Sequence, residues 1–113
     1  MDDTAGGIDP DSLFTSNDLA RGYLEAGWLD EAIPMFERTL ADRERLLGET
    51  RQTLFSRNNL GQAYQAAGRL DEAIAMFERT LAEAERVLGR AHPLTLLVRT
   101  NLASARRQDG RGS

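Results

Sequence analysis

The chain has 113 residues, of which 41% are apolar, enough for one domain with a modest core. Its net charge of -4 argues against nonspecific binding to nucleic acid. It has no Cys and one His, which excludes disulfides, thiolate chemistry and a histidine-based metal site. Residues 1–50 contain twelve acidic residues and four Arg, whereas residues 51–113 contain six acidic residues and ten Arg. One end of the molecule is therefore predicted to be acidic and the other basic.

The N-terminal segment, residues 1–11, is acidic and almost free of apolar side chains, which predicts a flexible leader. It has no basic stretch followed by an apolar run, and no window of the chain approaches the ~20 apolar residues of a membrane span. We therefore expect a cytoplasmic protein that does not contact membranes. Asp11 or Ser12 is predicted to cap the first helix.

One segment of 13 residues occurs twice, at 29–41 and at 70–82, and the copies differ only at Pro34 and Ala75. Further matches at the same offset of 41 extend on both sides of the copies. A repeat of this length is typical of stacked helical units that bury their apolar faces against one another. The sequence thus predicts repeat 1 over 12–48, repeat 2 over 49–89, the first helix of a third repeat over 90–110, and a tail, 111–113.

Apolar residues recur every three or four positions within each repeat, which predicts a pair of helices, A and B. Helix A1 is predicted to end at Gly27, B1 to run from Leu29 or Asp30 to Leu47, A2 from about 53 to 67, and B2 from about 70 to 88. Pro93 can open helix A3. The predicted helix stops are the dispersed glycines Gly27, Gly48, Gly68, Gly89 and Gly110.

The pattern Asn-Leu-Gly-x-x-Tyr-x-x-x-Gly-x-x-x-x-Ala-x-x-x-Phe at 59–77 resembles the tetratricopeptide repeat. The turn at 85–89 and the His92-Pro93 pair are similar to the longer variant, of about 42 residues, found in kinesin light chains and bacterial regulatory proteins. The resemblance covers about 13–110 and implies an all-α, right-handed solenoid of five helices. Arg57 and Arg106 stand where the pattern expects aromatic residues. All basic residues are Arg, which suggests a GC-rich bacterial source.

In such arrays the A helices line the concave side. The resemblance implies a noncatalytic module that binds a peptide or helix of a protein partner in this groove, as part of a larger regulatory or scaffold protein. Carried over position by position, the concave face comprises Phe14, Asn17, Asp18, Arg21, Phe55, Asn58, Asn59, Gln62, Gln65, Leu97, Asn101 and Ser104.

Two uses are open for the central residues of this face. The amides of Asn58, Asn59 and Gln62 suit the backbone of an extended peptide, and Phe14, Phe55 and Leu97 could form apolar pockets. Alternatively, Asn59 and Asn101 hydrogen-bond neighbouring helices, and the aromatic residues belong to the core.

The runner-up function is self-association through the open ends of the solenoid. Helix A3 has no partner helix B, so its far face, with Leu96, Leu97 or Leu102, is predicted to be exposed. Either molecules associate through their ends, or the chain is a fragment whose missing helices complete the stack. The residues assigned to self-association are Trp28, Leu97, Arg99, Arg106 and Arg107.

Catalysis is not expected. The carboxylate pairs Asp30/Glu31 and Asp71/Glu72 lie in first helical turns, where the helix dipole favours negative charge, and His92 is interpreted as a turn residue. The glycines are too dispersed to form a phosphate loop. We expect no catalytic residue, metal or cofactor. An enzyme or nucleic-acid binder remains a third alternative, resting on scattered acids and the Arg-rich A3.

Overall fold

The computed structural model describes residues 10–48 and 50–110, with side chains from residue 16 onward. This part of the chain is entirely helical apart from its turns, which confirms the all-α prediction. Its helices are α1 (Pro10–Glu25), α2 (Leu29–Leu47), α3 (Arg51–Ala66), α4 (Leu70–Leu88) and α5 (Pro93–Asp109). We call α1, α3 and α5 the A helices, and α2 and α4 the B helices. Most of the predicted leader and the whole tail lie outside the described residues.

The helix ends follow the local chemistry of the sequence. Gly48 and Gly110 follow α2 and α5 with φ of 67° and 83°, a region that favours glycine. Helix α1 begins at Pro10, slightly before the predicted cap at Asp11 or Ser12, because the fixed φ and missing N–H of proline suit a first turn. At α5, Pro93 is again the first residue, and His92 Nδ1 accepts a hydrogen bond of 3.0 Å from the amide of Leu94.

Each helix packs against the next along the chain, and α3 also contacts α1 and α5. The stack measures 52 × 32 × 18 Å. Its radius of gyration of 14.4 Å exceeds the value of about 13 Å expected for a sphere-like domain of this length. This elongation, together with the contacts of α3 with α1 and α5, shows that the A helices lie side by side, as a solenoid requires.

The two junctions between units use equivalent positions for their polar contacts. Glu44 of α2 accepts two hydrogen bonds from Arg57, and in the next unit Glu85 binds Arg99 at 3.1 Å. A second contact changes its chemistry, since Glu37 accepts from the Tyr64 hydroxyl whereas the equivalent Glu78 accepts from Arg106.

These pairs explain both departures from the aromatic pattern. Arg57 and Arg106 occupy expected aromatic positions, and each binds a carboxylate of the preceding B helix. Burial, followed by the hydrogen bond to Glu37, raises the pKa of Tyr64 to about 12. The Tyr64 hydroxyl is therefore protonated at neutral pH and donates a hydrogen bond to the Glu37 carboxylate.

Within the second unit, the two helices approach closely at Gly61. A Cβ on Gly61 would lie 2.5 Å from a ring carbon of Phe77, which is fully buried. The small Gly61 and the large Phe77 thus occupy complementary positions where the helices meet. The equivalent of Gly61 in the first unit is the buried Ala20, so the two helix pairs accommodate different volumes at one position.

We expect Gly61→Ala to destabilise the protein. The added methyl group should force the Phe77 ring aside at a cost of about 1–3 kcal/mol, more than the ~1 kcal/mol gained from helix propensity. Gly22→Ala is the matched control, because Gly22 lies in a helix with nothing within 4 Å of its added Cβ. Urea unfolding should show lower stability for the first variant and higher stability for the second; a stabilised Gly61→Ala would contradict the packing argument.

The two equivalent threonines at the starts of α3 and α5 differ in hydrogen bonding. Thr53 Oγ1 donates to the Gly48 carbonyl at 2.6 Å, whereas Thr95 Oγ1 is buried and has no hydrogen-bond partner within the described ranges. The turn before α5 is one residue longer, and His92 supplies the cap there. An unsatisfied buried hydroxyl is destabilising.

We therefore expect Thr95→Val to raise the free energy of unfolding by about 0.5–1.5 kcal/mol, because it removes an unpaired polar group without changing the side-chain shape. Thr53→Val should lower it by about 1–2 kcal/mol, since it removes a made hydrogen bond. Chemical denaturation of both variants beside the parent checks the opposite signs. Equal destabilisation would mean that Thr95 Oγ1 has a partner in solution.

Candidate functional site

A groove of about 650 Å³ opens between the A helices, with α2 contributing to it. We call it the A-helix groove. Its lining residues are Asn17, Asp18, Arg21, Arg43, Arg51, Gln52, Phe55, His92, Pro93, Leu94 and Leu97. The first turns of α3 and α5 both face it, together with the middle of α1.

One part of the groove is apolar. Phe55 of α3 is half-buried, and Leu97 of α5 is 41% exposed. The Arg21 guanidinium lies over the Phe55 ring, 5.9 Å from its centroid, within the range of a cation–π contact. A ligand side chain placed here would bury apolar surface against rigid helices.

The rest of the groove is rich in cations. Arg21, Arg43 and Arg51 line it, whereas Asp18 is the only acidic residue among the described residues of its lining. Arg21 donates to Asn59 Oδ1 at 3.2 Å and lies 4.0 Å from Glu25. The local charge of the groove is thus opposite in sign to the net charge of the chain.

Arg43 has the least common environment of these cations. Its side chain is only 5% exposed, and its Nη1 donates to Ser56 Oγ at 2.8 Å and to the Gln52 carbonyl at 3.2 Å. Within the described part of the chain, no carboxylate lies within 4 Å of it. Burial lowers the pKa of Arg43, and the negative charge of Asp18 acts in the opposite direction. Arg43 is therefore a buried cation held by neutral acceptors.

Asparagines join the A helices to one another. Asn59 Nδ2 donates to Asn17 Oδ1 at 3.3 Å, and Asn101 Nδ2 donates to Asn58 Oδ1 at 3.0 Å. Asn17, Asn58 and Asn59 are buried. We call these bonds the asparagine ladder, and they correspond to the alternative use of Asn59 and Asn101 in helix stacking.

The predicted concave-face residues fall into two groups. Asn17, Arg21 and Phe55 line the A-helix groove, together with Asp18 and Leu97. The other described residues of that prediction lie outside its lining, and most of them join helices, as when Gln65 donates to Ser104 at 3.2 Å. These are Asn58, Asn59, Gln62, Gln65, Asn101 and Ser104. The side chain of Phe14 is outside the described part.

The residues assigned to self-association are scattered. Trp28 is 59% exposed and stacks on Tyr23 with ring centroids 5.7 Å apart, whereas Leu97 lies in the groove. The three arginines lie on α5, where Arg99 and Arg106 bind carboxylates of α4 and Arg107 is exposed. Leu96 is 46% exposed as predicted, but the prediction for Leu102 is wrong, because its side chain is buried facing the preceding unit.

Sequence reasoning missed six groove residues, which are Arg43, Arg51, Gln52, His92, Pro93 and Leu94. For Arg43 a signal existed, because the second repeat has Ala84 at the equivalent position, two residues after the end of the nearly identical segments. Its partner Ser56 is likewise replaced, by Val98. A polar pair at one junction therefore corresponds to an apolar, buried pair at the other.

Three further observations on the described residues concern membrane spans, metal sites and the carboxylate pairs. No helix among them is long and apolar enough to span a membrane. Within the same ranges no three His, Asp or Glu side chains come close enough to hold a metal ion. Of the carboxylate pairs, Glu72 binds Arg69 at 2.6 Å, and this hydrogen bond lowers the pKa of Glu72.

Comparisons with known proteins agree with this architecture. A sequence model described as "Tetratricopeptide repeat" matches residues 11–82 and 52–111. Among solved structures, the nearly identical TPR-like repeats of a proposed kinesin light chain from Podosopora anserina superpose with a TM-score of 0.83 at 31% identity, over 93% of this chain and 50% of that one. A second crystal structure of those repeats gives 0.80 at 30% identity, over 91% and 49%. The chain thus spans about half the length of these structures. No curated protein sequence matches it.

The asparagine ladder leads us to expect that Asn59→Ala lowers the stability of the fold. It removes the bonds with Asn17 and Arg21 and leaves the buried Asn17 oxygen without that donor, at a cost of about 1–3 kcal/mol. Gln62→Ala, a half-buried residue of the same helix, should change stability by less than about 0.5 kcal/mol. Thermal unfolding compares the two; unchanged stability in Asn59→Ala with weaker partner binding would instead assign Asn59 to recognition.

Proposed function

Because the chain belongs to the tetratricopeptide repeat family, we propose that it is a noncatalytic protein-interaction module that holds a peptide or helix in the A-helix groove. Repeats of this family generally mediate contacts between proteins. The observation that carries the proposal is the groove itself, which is lined by apolar and polar side chains from all three A helices. Such a combination gives a peptide both buried contact area and oriented hydrogen bonds.

The proposed contacts are divided by position. Phe55 and Leu97 receive an apolar side chain of the partner, while Asn17 and Arg21 bind its polar groups. Gln62 is assigned to the rim. Asn58, Asn59, Asn101 and Ser104 act indirectly, because their bonds set the spacing of the helices that form the groove.

We further propose that this module belongs to a larger bacterial regulatory or scaffold protein in the cytoplasm, with repeats of the longer, kinesin-light-chain type. The support is threefold: a 13-residue segment recurs with one difference at an offset of 41, all basic residues are Arg, and the chain superposes on about half of a longer repeat array. A protein partner, rather than nucleic acid or a membrane, fits the net negative charge.

Leu97→Ser tests the groove, and Leu46→Ser is its control. Both leucines are similarly exposed, at 41% and 44%, but only Leu97 lines the groove. Losing a buried leucine contact should weaken partner binding about tenfold or more, whereas Leu46→Ser should leave it unchanged. Partners captured from cell extract by the parent chain, identified by mass spectrometry, are then titrated against both variants. Equal retention by the two variants would exclude the groove as the binding site.

Self-association is the second candidate, and the exposure of Leu96 favours it. The equivalent residue of α3 is Leu54, which is fully buried, so α5 presents a core position to solvent. Covering this face with a second molecule would bury apolar surface. Light scattering across protein concentration, at low and high salt, should then show a dimer or larger species that Leu96→Ser dissociates. A concentration-independent monomer would exclude this alternative.

A further inference from the structure

We infer that copies of this chain associate head to tail, with the outer side of α5 packed on the outer side of α1 of a second copy. This inference rests on the self-association that is the second candidate function, and it adds the second surface and the symmetry of the contact. Two sets of residues form these surfaces. The α1 face comprises Leu19, Gly22, Tyr23 and Ala26, and the α5 face comprises Leu96, Thr100, Ala103 and Arg107.

The α1 face is a helix-packing surface that is open to solvent. Its members recur at i, i+3, i+4 and i+7, so they lie along one side of α1. The equivalent residues of α3 include Leu60, Ala63 and Tyr64, which are buried where α3 packs on α2. In α1, Leu19 is 49% exposed, and a Cβ added to Gly22 would meet nothing within 4 Å. The side that joins α3 to the preceding unit is therefore uncovered in α1.

The α5 face is the corresponding surface at the other end of the stack. On the equivalent side of α3, Leu54 is fully buried and Gly61 lies against Phe77 of α4. On α5, Leu96 is 46% exposed and Ala103 is exposed as well. Each end of the stack thus presents a face that is covered by a neighbouring helix in α3.

One departure from the repeat enlarges the α1 face. In the second unit, the Arg69 guanidinium lies 4.6 Å from the centroid of the Tyr64 ring. The equivalent pair in the first unit is Trp28 stacked on Tyr23, so an apolar ring replaces a cation next to the open face. Exposed tryptophan is enriched among the residues that dominate the binding energy of protein interfaces. The open end therefore presents more apolar surface than the repeat requires.

The charges beside the two faces favour a head-to-tail contact. Short turns make consecutive helices antiparallel, so the A helices run in one direction, and a copy that continues the stack keeps it. The C-terminal end of α5, with Arg107, then lies beside the C-terminal end of α1 of the second copy. Glu25 is exposed there, and Asp30 and Glu31 occupy the first turn of α2. Pairing α5 with α5, or α1 with α1, would instead bring like charges together.

The expected assembly is weak and has no closed size. A contact between two single helices falls below the about 1,200 Å² of a standard interface, so it forms only at high protein concentration. A head-to-tail contact leaves one face free at each end of every assembly, and further copies add to those faces. In light scattering, the mean molar mass should therefore rise with concentration without stopping at the dimer.

Two variants of the whole chain supply the test, because each removes one face. Leu19→Ser and Leu96→Ser should each weaken self-association about tenfold or more. When they are mixed, one intact contact remains, between α5 of the first variant and α1 of the second. The mixture should form heterodimers and nothing larger. In two-dimensional NMR, isotope-labelled Leu19→Ser should then show shifts in α5, and labelled Leu96→Ser should show them in α1.

Leu46→Ser is the matched control, since Leu46 is 44% exposed and belongs to neither face. It should associate as the parent does. Charge reversal gives an independent check: Glu25→Arg and Arg107→Glu should each weaken association, and the two changes in one chain should restore it, because opposite charges meet again. Circular dichroism should show the parent's helix content in every variant, as expected for changes at exposed residues.

Several results would overturn the inference. A mass that stops at the dimer, with Leu19→Ser unaffected, would assign self-association to α5 pairing with α5 and retain the second candidate function without the head-to-tail contact. A mixture that stays monomeric although the parent associates would reject the pairing of the two faces. A parent that is monomeric at every concentration would exclude self-association altogether, while the comparison of Leu97→Ser with Leu46→Ser still judges the groove separately. Equal loss in Leu46→Ser would make the association nonspecific.

Discussion

The structure depends on how closely the two helices of a unit can approach. In the second unit Gly61 leaves room for the ring of Phe77, which fills the space that a side chain on α3 would otherwise occupy. Because this contact is buried, it sets the distance between α3 and α4, and the short turns then place the next A helix beside α3. The A-helix groove is a consequence of that arrangement, since it lies between helices whose spacing is fixed elsewhere.

Repetition makes the departures informative. Arg57 and Arg99 occupy equivalent positions at the two junctions, and each binds a glutamate of the preceding B helix. A contact repeated in this way stabilises the packing of one unit on the next. Arg106 shows that a change of residue type can preserve a contact, because it reaches the carboxylate position that Tyr64 uses. At Arg43 the departure changes the chemistry of the junction itself, because Arg43 binds Ser56 where the second unit has the buried, apolar Ala84 and Val98.

The sequence was sufficient to predict the helices because its signals are local. Glycines with positive φ end them, and nearly identical copies force α2 and α4 to span equivalent residues. It was not sufficient for the site. Whether Asn59 faces a ligand or Asn17 depends on the rotation of two A helices, and the exposure of Leu102 depends on which neighbour covers each face. Composition and spacing do not contain that information.

Net charge and local charge lead to different conclusions about partners. The net charge of -4 governs long-range electrostatic attraction, but screening limits that attraction to about 8 Å at physiological salt. Inside the groove, Arg43 is withdrawn from water, so its interaction with an anion is much less screened than that of an exposed arginine. The overall charge therefore acts on nonspecific association with polyanions, whereas the cations of the groove act only on groups that come close to them.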